Sequence, residues 1–201
     1  MSISGNAGRT AVRRSFSELK LLLHICCAPC SIYPLKQLRR DGHEVSGLFY
    51  NPNIHPYLEY ARRLQTLKDY ADRQDLRVIW PEGYEMEAFL RSVAFREADR
   101  CLHCYRLRLS VTARTAKRSE YDGFSTTLLY SRFQKHEMIK EIGESLGREF
   151  GVPFYYQDFR EGWKEGIQIS KELGMYRQPY CGCIYSEKER YCDDRRRAEH
   201  G

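Results

Sequence analysis

The chain has 201 residues, of which 42% are hydrophobic and 30% charged, with a formal net charge of +6. That length suits one domain with a core of its own, so stability does not require disulfides. No apolar run approaches the roughly 20 residues of a membrane-spanning helix, which excludes a helical membrane protein and a membrane partner.

Residues 1–17 read as a flexible polar tail. Arg13-Arg14 ahead of Leu21-Leu22-Leu23 imitates a twin-arginine export signal, but the apolar stretch is short and His24 interrupts it. The expected compartment is the cytoplasm. Thiols stay reduced there, and grouped cysteines favour metal or redox chemistry over disulfides. Residues 18–190 read as one α/β domain.

Five short runs read as strands: 21–25, 44–50, 76–80, 123–129 and 152–157. After the first, Ser31 is the expected cap of a helix to about Arg40, with Gly42 as its stop. Tyr60, Leu64, Leu67 and Ala71 form an apolar stripe at helical spacing before the third strand. Residues 83–122 are too long for one crossover. They read as a helical insertion of two helices between strands three and four, with Cys101 and Cys104 at the junction. Ile139, Ile142, Leu146 and Phe150 mark a helix after the fourth strand. A further helix over 162–175 delivers the loop 176–183. Residues 191–201, with Arg195-Arg196-Arg197, read as a basic C-terminal tail.

Strands alternating with helices imply right-handed crossovers. The expected fold is an open, mostly parallel five-stranded sheet with helices on both faces, Rossmann-like in class. If the order is 3-2-1-4-5, the loops after strands one and four flank the crevice where such sheets bind ligands. Cys26, Cys27 and Cys30 follow the first strand. Ser131 and Arg132 follow the fourth.

Seven of the eight cysteines fall into three groups: Cys26-Cys27-Ala28-Pro29-Cys30, Cys101-Leu102-His103-Cys104 and Cys181-Gly182-Cys183. Inert buried cysteines are the plain alternative for any one group, but three groups together point to a metal assembly. A structural zinc takes four ligands, commonly from two C-x₂-C pairs, and only Cys101 and Cys104 have that spacing. Neighbouring side chains such as Cys26 and Cys27 tend to diverge, which also suits zinc poorly. A [4Fe–4S] cluster takes four thiolates and leaves three over for a second metal or a redox role. The radical-SAM spacing C-x₃-C-x₂-C fails because Tyr33 stands at the third position. A glycine-rich S-G-G-x-D-S phosphate loop is also missing; Cys26 to Ser31 occupy its place. Cys192 stands alone and reads as an incidental surface thiol.

Residues 91–118 hold eight Arg and Lys against two acids, an excess equal to that of the whole chain. Such concentration suits a polyanion such as nucleic acid; a solvated helix face is the alternative.

These residues resemble the QueH-type epoxyqueuosine reductases. The resemblance rests on Leu21-Leu22-Leu23-His24-Ile25-Cys26-Cys27-Ala28-Pro29-Cys30, on Cys101-x-x-Cys104, and on Tyr180-Cys181-Gly182-Cys183-Ile184-Tyr185-Ser186. Phe49 to His55 and Thr126 to Ser131 match the family's character, and the match covers about residues 18–190. It implies a fold similar to the α/β nucleotide-hydrolase superfamily. It also implies the last, cobalamin-independent step of queuosine synthesis, removal of the epoxide oxygen of epoxyqueuosine at the tRNA wobble base. The implied cofactors are a [4Fe–4S] cluster and a neighbouring mononuclear iron. The implied ligands are Cys26, Cys27, Cys101, Cys104, Cys181 and Cys183, with Cys30 at a position where the family can carry aspartate.

The implied partners are the tRNA and an unidentified electron donor. Arg106, Arg108 and Arg132 are the expected tRNA contacts. His24, Tyr180 and Asp158 are the expected proton donors, with His103 and Tyr185 nearby in sequence. Each has a plainer role: a buried hydrogen-bonded histidine, a tyrosine packing a loop, an aspartate capping the helix after Phe159. The rival functions are an iron–sulfur tRNA sulfur transferase and a non-enzymatic electron carrier.

Overall fold

A computed structural model describes residues 18–192. The expected tail at 1–17 and the Arg195-Arg196-Arg197 run lie outside the described residues.

Four parallel strands form one sheet in the order β3-β2-β1-β4. They are β1 (Lys20–His24), β2 (Glu44–Leu48), β3 (Val78–Ile79) and β4 (Gly123–Thr126). Leu21 of β1 stands opposite Val45 on one side and Gly123 on the other. Leu21, Leu22 and Leu23 are fully buried, as a central parallel strand covered on both faces requires.

The helices are α1 (Ala28–Arg40), α2 (Tyr57–Arg73), α3 (Met86–Val93), α4 (Arg100–Arg118), α5 (His136–Phe150), α6 (Trp163–Glu172) and α7 (Ile184–Tyr191). The chain steps from β1 through β2 to β3, then returns past β1 to β4. Strand order therefore reverses between β1 and β4, and a ligand crevice opens beyond their carboxyl ends. Among the described residues, no helix is long and apolar enough to cross a membrane.

The expected fifth strand is not formed. Residues 152–157 make a single parallel bridge, Phe124 to Phe154. Phe124 N donates to Pro153 O at 3.0 Å, and Tyr155 N donates to Phe124 O at 2.8 Å. Pro153 has no N–H to extend the ladder. The fourth strand also ends early: at Thr127–Tyr130 the chain tightens into a 3-10 turn, with Thr126 Oγ1 accepting from Leu128 N at 3.1 Å.

Helix α1 starts three residues before the expected Ser31. Pro29 fits its first turn, where a missing N–H costs nothing. Ser31 lies inside and donates to Ala28 O at 2.8 Å. Gly42, at φ 89°, is the stop the sequence implied. The 83–122 insertion forms α3 and α4, and Cys101 and Cys104 open α4. Helix α7 carries no clear apolar stripe and was not anticipated.

Candidate metal centre

The first thiol set is built by the β1–α1 turn alone. Cys27 is the N-cap of α1, with extended backbone at φ −169°, and Cys26 stands just before it. Cys27 and Cys30 lie one turn apart on the same side of α1. The Sγ atoms of Cys26, Cys27 and Cys30 all lie within 4.8 Å of one another. The neighbours Cys26 and Cys27, expected to diverge, bring their sulfurs to 3.9 Å.

Polar groups from elsewhere surround this set. Thr127 Oγ1 donates to Cys26 Sγ at 3.3 Å and accepts from Cys26 N at 3.1 Å. Gln178 Nε2 donates to Cys27 Sγ at 2.8 Å and lies 3.8 Å from Cys30 Sγ. Hydrogen bonds from the Cys27 and Cys30 thiols hold Cys26 well below the ordinary thiol pKa. Burial pushes Cys27 up, and the bond to Cys26 pushes Cys30 up. Three convergent sulfurs with neutral donors around them fit a thiophilic metal such as iron or zinc.

The second set is assembled from distant segments. Cys101 and Cys104 lie one turn apart at the start of α4. Cys181 and Cys183 approach on the loop before α7. Cys104 and Cys183 are buried together with Phe89 and Val93 of α3. Burial raises the Cys104 thiol to about 12, and Cys181, Cys183 and Cys101 add negative charge in the same direction. Cys181 is exposed at the rim, where Gln134 Nε2 reaches its sulfur at 3.2 Å.

That loop is held by a clamp from α2. Arg63 is 1% exposed and donates from Nε to Glu59 Oε1 at 2.7 Å, from Nη1 to Cys181 O at 2.8 Å and from Nη2 to Tyr180 O at 3.2 Å. His55 N donates to Gly182 O at 2.8 Å. Gly182 has φ 146°, and a Cβ there would lie 3.1 Å from Ile54 and 3.3 Å from Arg63. Only glycine fits both the backbone and the space. An Arg100–Glu189 ion pair ties α7 to the start of α4.

Each expected proton donor has defined partners here. His24 is buried, with Nδ1 2.9 Å from Thr126 Oγ1 and Nε2 3.3 Å from Tyr50 O. Burial, reinforced by Arg108, lowers its pKa to about 3, so the ring is neutral. Tyr180 donates its hydroxyl to His55 O at 2.6 Å. Asp158 is exposed, pairs with Arg160 at 2.6 Å and accepts from Arg160 N, capping the turn after Phe159.

The three expected tRNA contacts separate. Arg106 is exposed and pairs with Glu149 at 3.2 Å. Arg132 is exposed beside Phe133, itself 85% exposed. Arg108 is 2% exposed and turned toward the thiols, so it offers nothing to an external phosphate. Helical spacing carries that signal. Arg108 stands seven residues after Cys101 and four after Cys104, on their face of α4, whereas Arg106 stands only two after Cys104. Gln178, Gln134, Thr127 and Arg63 were not singled out as site residues. Neutral or lone side chains of these types carry no pattern of their own.

The family described as Epoxyqueuosine reductase QueH matches residues 21–189. A curated Epoxyqueuosine reductase QueH from Dehalococcoides mccartyi is 40% identical over 172 residues, 86% of this chain and 94% of that protein. Its namesake from Thermotoga maritima is 36% identical over 179 residues, 85% of this chain and 91% of that protein. Another from Staphylococcus aureus is 32% identical over 188 residues.

Proposed function

This chain belongs to the epoxyqueuosine reductase QueH family, and from that premise we infer that it reduces epoxyqueuosine to queuosine at the wobble position of tRNA. The observation that carries the reading is the thiol assembly. Three sulfurs converge at the carboxyl end of β1, and Cys104 of α4 is buried together with Cys183 of the last loop. It occupies the crevice where strand order reverses.

Cys101, Cys104, Cys181 and Cys183 would hold a [4Fe–4S] cluster, which takes four thiolates. Cys26, Cys27 and Cys30 would hold a mononuclear iron. Bound iron would deliver electrons and polarise the epoxide oxygen. The overall change takes two electrons and two protons, and releases the oxygen as water with the cyclopentene left behind. The chain's own residues order the site. Gln178 and Thr127 donate to sulfur of the first set, Gln134 donates to Cys181, and neutral His24 braces Thr126 against Tyr50.

A splayed anticodon base needs aromatic planes and cations at the pocket mouth. Phe133 and Arg132 stand one and two residues before Gln134, whose amide touches Cys181, and Phe133 packs edge-on against Trp163 at 5.6 Å. Arg106, exposed on α4 and paired with Glu149, adds a cation that a phosphate could compete for. A tRNA substrate is consistent with a cytoplasmic enzyme, and the two electrons of the reaction call for an electron donor. Mass spectrometry of tRNA nucleosides from a deletion strain tests the reading. Accumulated epoxyqueuosine, cleared by restoring the gene, supports it; undiminished queuosine without a second reductase overturns it.

A further inference from the structure

Arg108 is a buried cation that pairs with no carboxylate among the described residues. Its side chain is turned inward from α4. Nε donates to Cys104 O at 3.3 Å, and Nη1 lies 3.4 Å from Asn51 Oδ1. Both partners are neutral. Nη2 is buried and has no partner among the described residues. Asn51 in turn donates from Nδ2 to Ile25 O at 2.9 Å, one residue before Cys26. Hydrogen bonds thus link the Cys104 backbone, Arg108, Asn51 and the strand end that carries the first thiol set.

A guanidinium stays charged wherever it is placed, and removing it from water is unfavourable without an anion. Here the groups that act most on its charge are sulfurs, which become anionic once they bind a metal. Cys104, Cys181 and Cys26 are the thiols that most strongly stabilise its charge, and they come from all three cysteine groups. In place of the carboxylate that would satisfy this arginine in an ordinary core, sulfurs of both thiol sets act on its charge.

We infer that Arg108 is the counter-cation of the metal centre, a permanent positive charge shared by the two thiol sets that raises the reduction potential of the iron they hold. The inference rests on the reading that these thiols bind iron. Its basis is Coulombic. Each thiolate adds negative charge that opposes reduction, and a fixed cation in a low-dielectric site offsets it.

The test compares wild type with Arg108→Lys and Arg108→Met, each loaded with iron under anaerobic conditions. Three quantities are read: iron per chain, midpoint potential by EPR-monitored titration, and unfolding temperature with and without iron. Arg108→Met should keep its iron and shift the midpoint to more negative potential, while Arg108→Lys stays near wild type. Without iron, Arg108→Met should unfold at the wild-type temperature or above, because a cation lacking its anion has been removed; with iron the order should reverse. Loss of iron from Arg108→Met but not from Arg108→Lys also supports the counter-cation. An unchanged midpoint, equal iron loss from both variants, or an iron-free Arg108→Met that unfolds earlier or fails to fold makes Arg108 a packing residue and overturns the inference. Wild type that binds no iron overturns the metal reading itself.

Discussion

The two thiol sets are built by opposite strategies. Cys26, Cys27 and Cys30 sit on five consecutive residues where β1 turns into α1, so local backbone geometry is enough to converge their sulfurs. Cys101, Cys104, Cys181 and Cys183 come from segments about eighty residues apart, and meet only because Arg63, Gly182 and the Arg100–Glu189 pair fix the loop between α6 and α7. A set made by local geometry should survive loss of distant contacts. A set made by tertiary contacts should not.

Breaking the clamp should have the largest effect. Arg63→Leu removes a buried ion pair with Glu59 and two carbonyl contacts, and should cost about 3–5 kcal/mol. In the iron-free protein, alkylation mapped by mass spectrometry should show Cys183 gaining reactivity while Cys27 and Cys30 keep theirs. Equal gains at all three would erase the distinction. Gly182→Ala comes next, at about 1–3 kcal/mol, since φ 146° is strained for a residue with a Cβ. Chemical denaturation measures it, and a neutral result would mean the loop can shift.

Gln178→Leu probes the link between the sets, because its amide reaches Cys27 from the loop that leads to Cys181. The loss should be about 1 kcal/mol, with metal content falling before fold stability does. The smallest effect belongs to a site outside both sets. Asp158→Asn should cost under about 1 kcal/mol, because its Arg160 partner is exposed to solvent. The Arg160 hydrogen bond depresses the Asp158 carboxyl, so its small contribution is present above the ordinary pKa of 3.8 and lost as pH falls below it. A loss of turnover in Asp158→Asn at neutral pH would make it a proton donor.

The same contrast governs what the sequence disclosed. Periodicity and turn residues located β1, β2, β4, the stripes of α2 and α5 and the crevice between β1 and β4, because each is a local pattern. The thiols were legible as three groups, but their division into a compact trio and a remote quartet was not, since it depends on where α4 lies against the last loop. Pro153 was the visible reason to doubt a fifth strand. Arg108 was grouped with the surface arginines because charge counting ignores helical phase, although its spacing from Cys101 and Cys104 placed it on the thiol face.

The central claim is that this thiol centre reduces epoxyqueuosine in tRNA. Its most direct test is anaerobic turnover of epoxyqueuosine-containing tRNA by the iron-loaded protein with a reductant, read as nucleosides by mass spectrometry, with Cys27→Ala and Cys181→Ala alongside. Wild type should convert epoxyqueuosine to queuosine, and each variant, drawn from a different thiol set, should leave it unreduced. Unaltered epoxyqueuosine with iron-loaded wild type, or either variant turning over at the wild-type rate, would contradict the account.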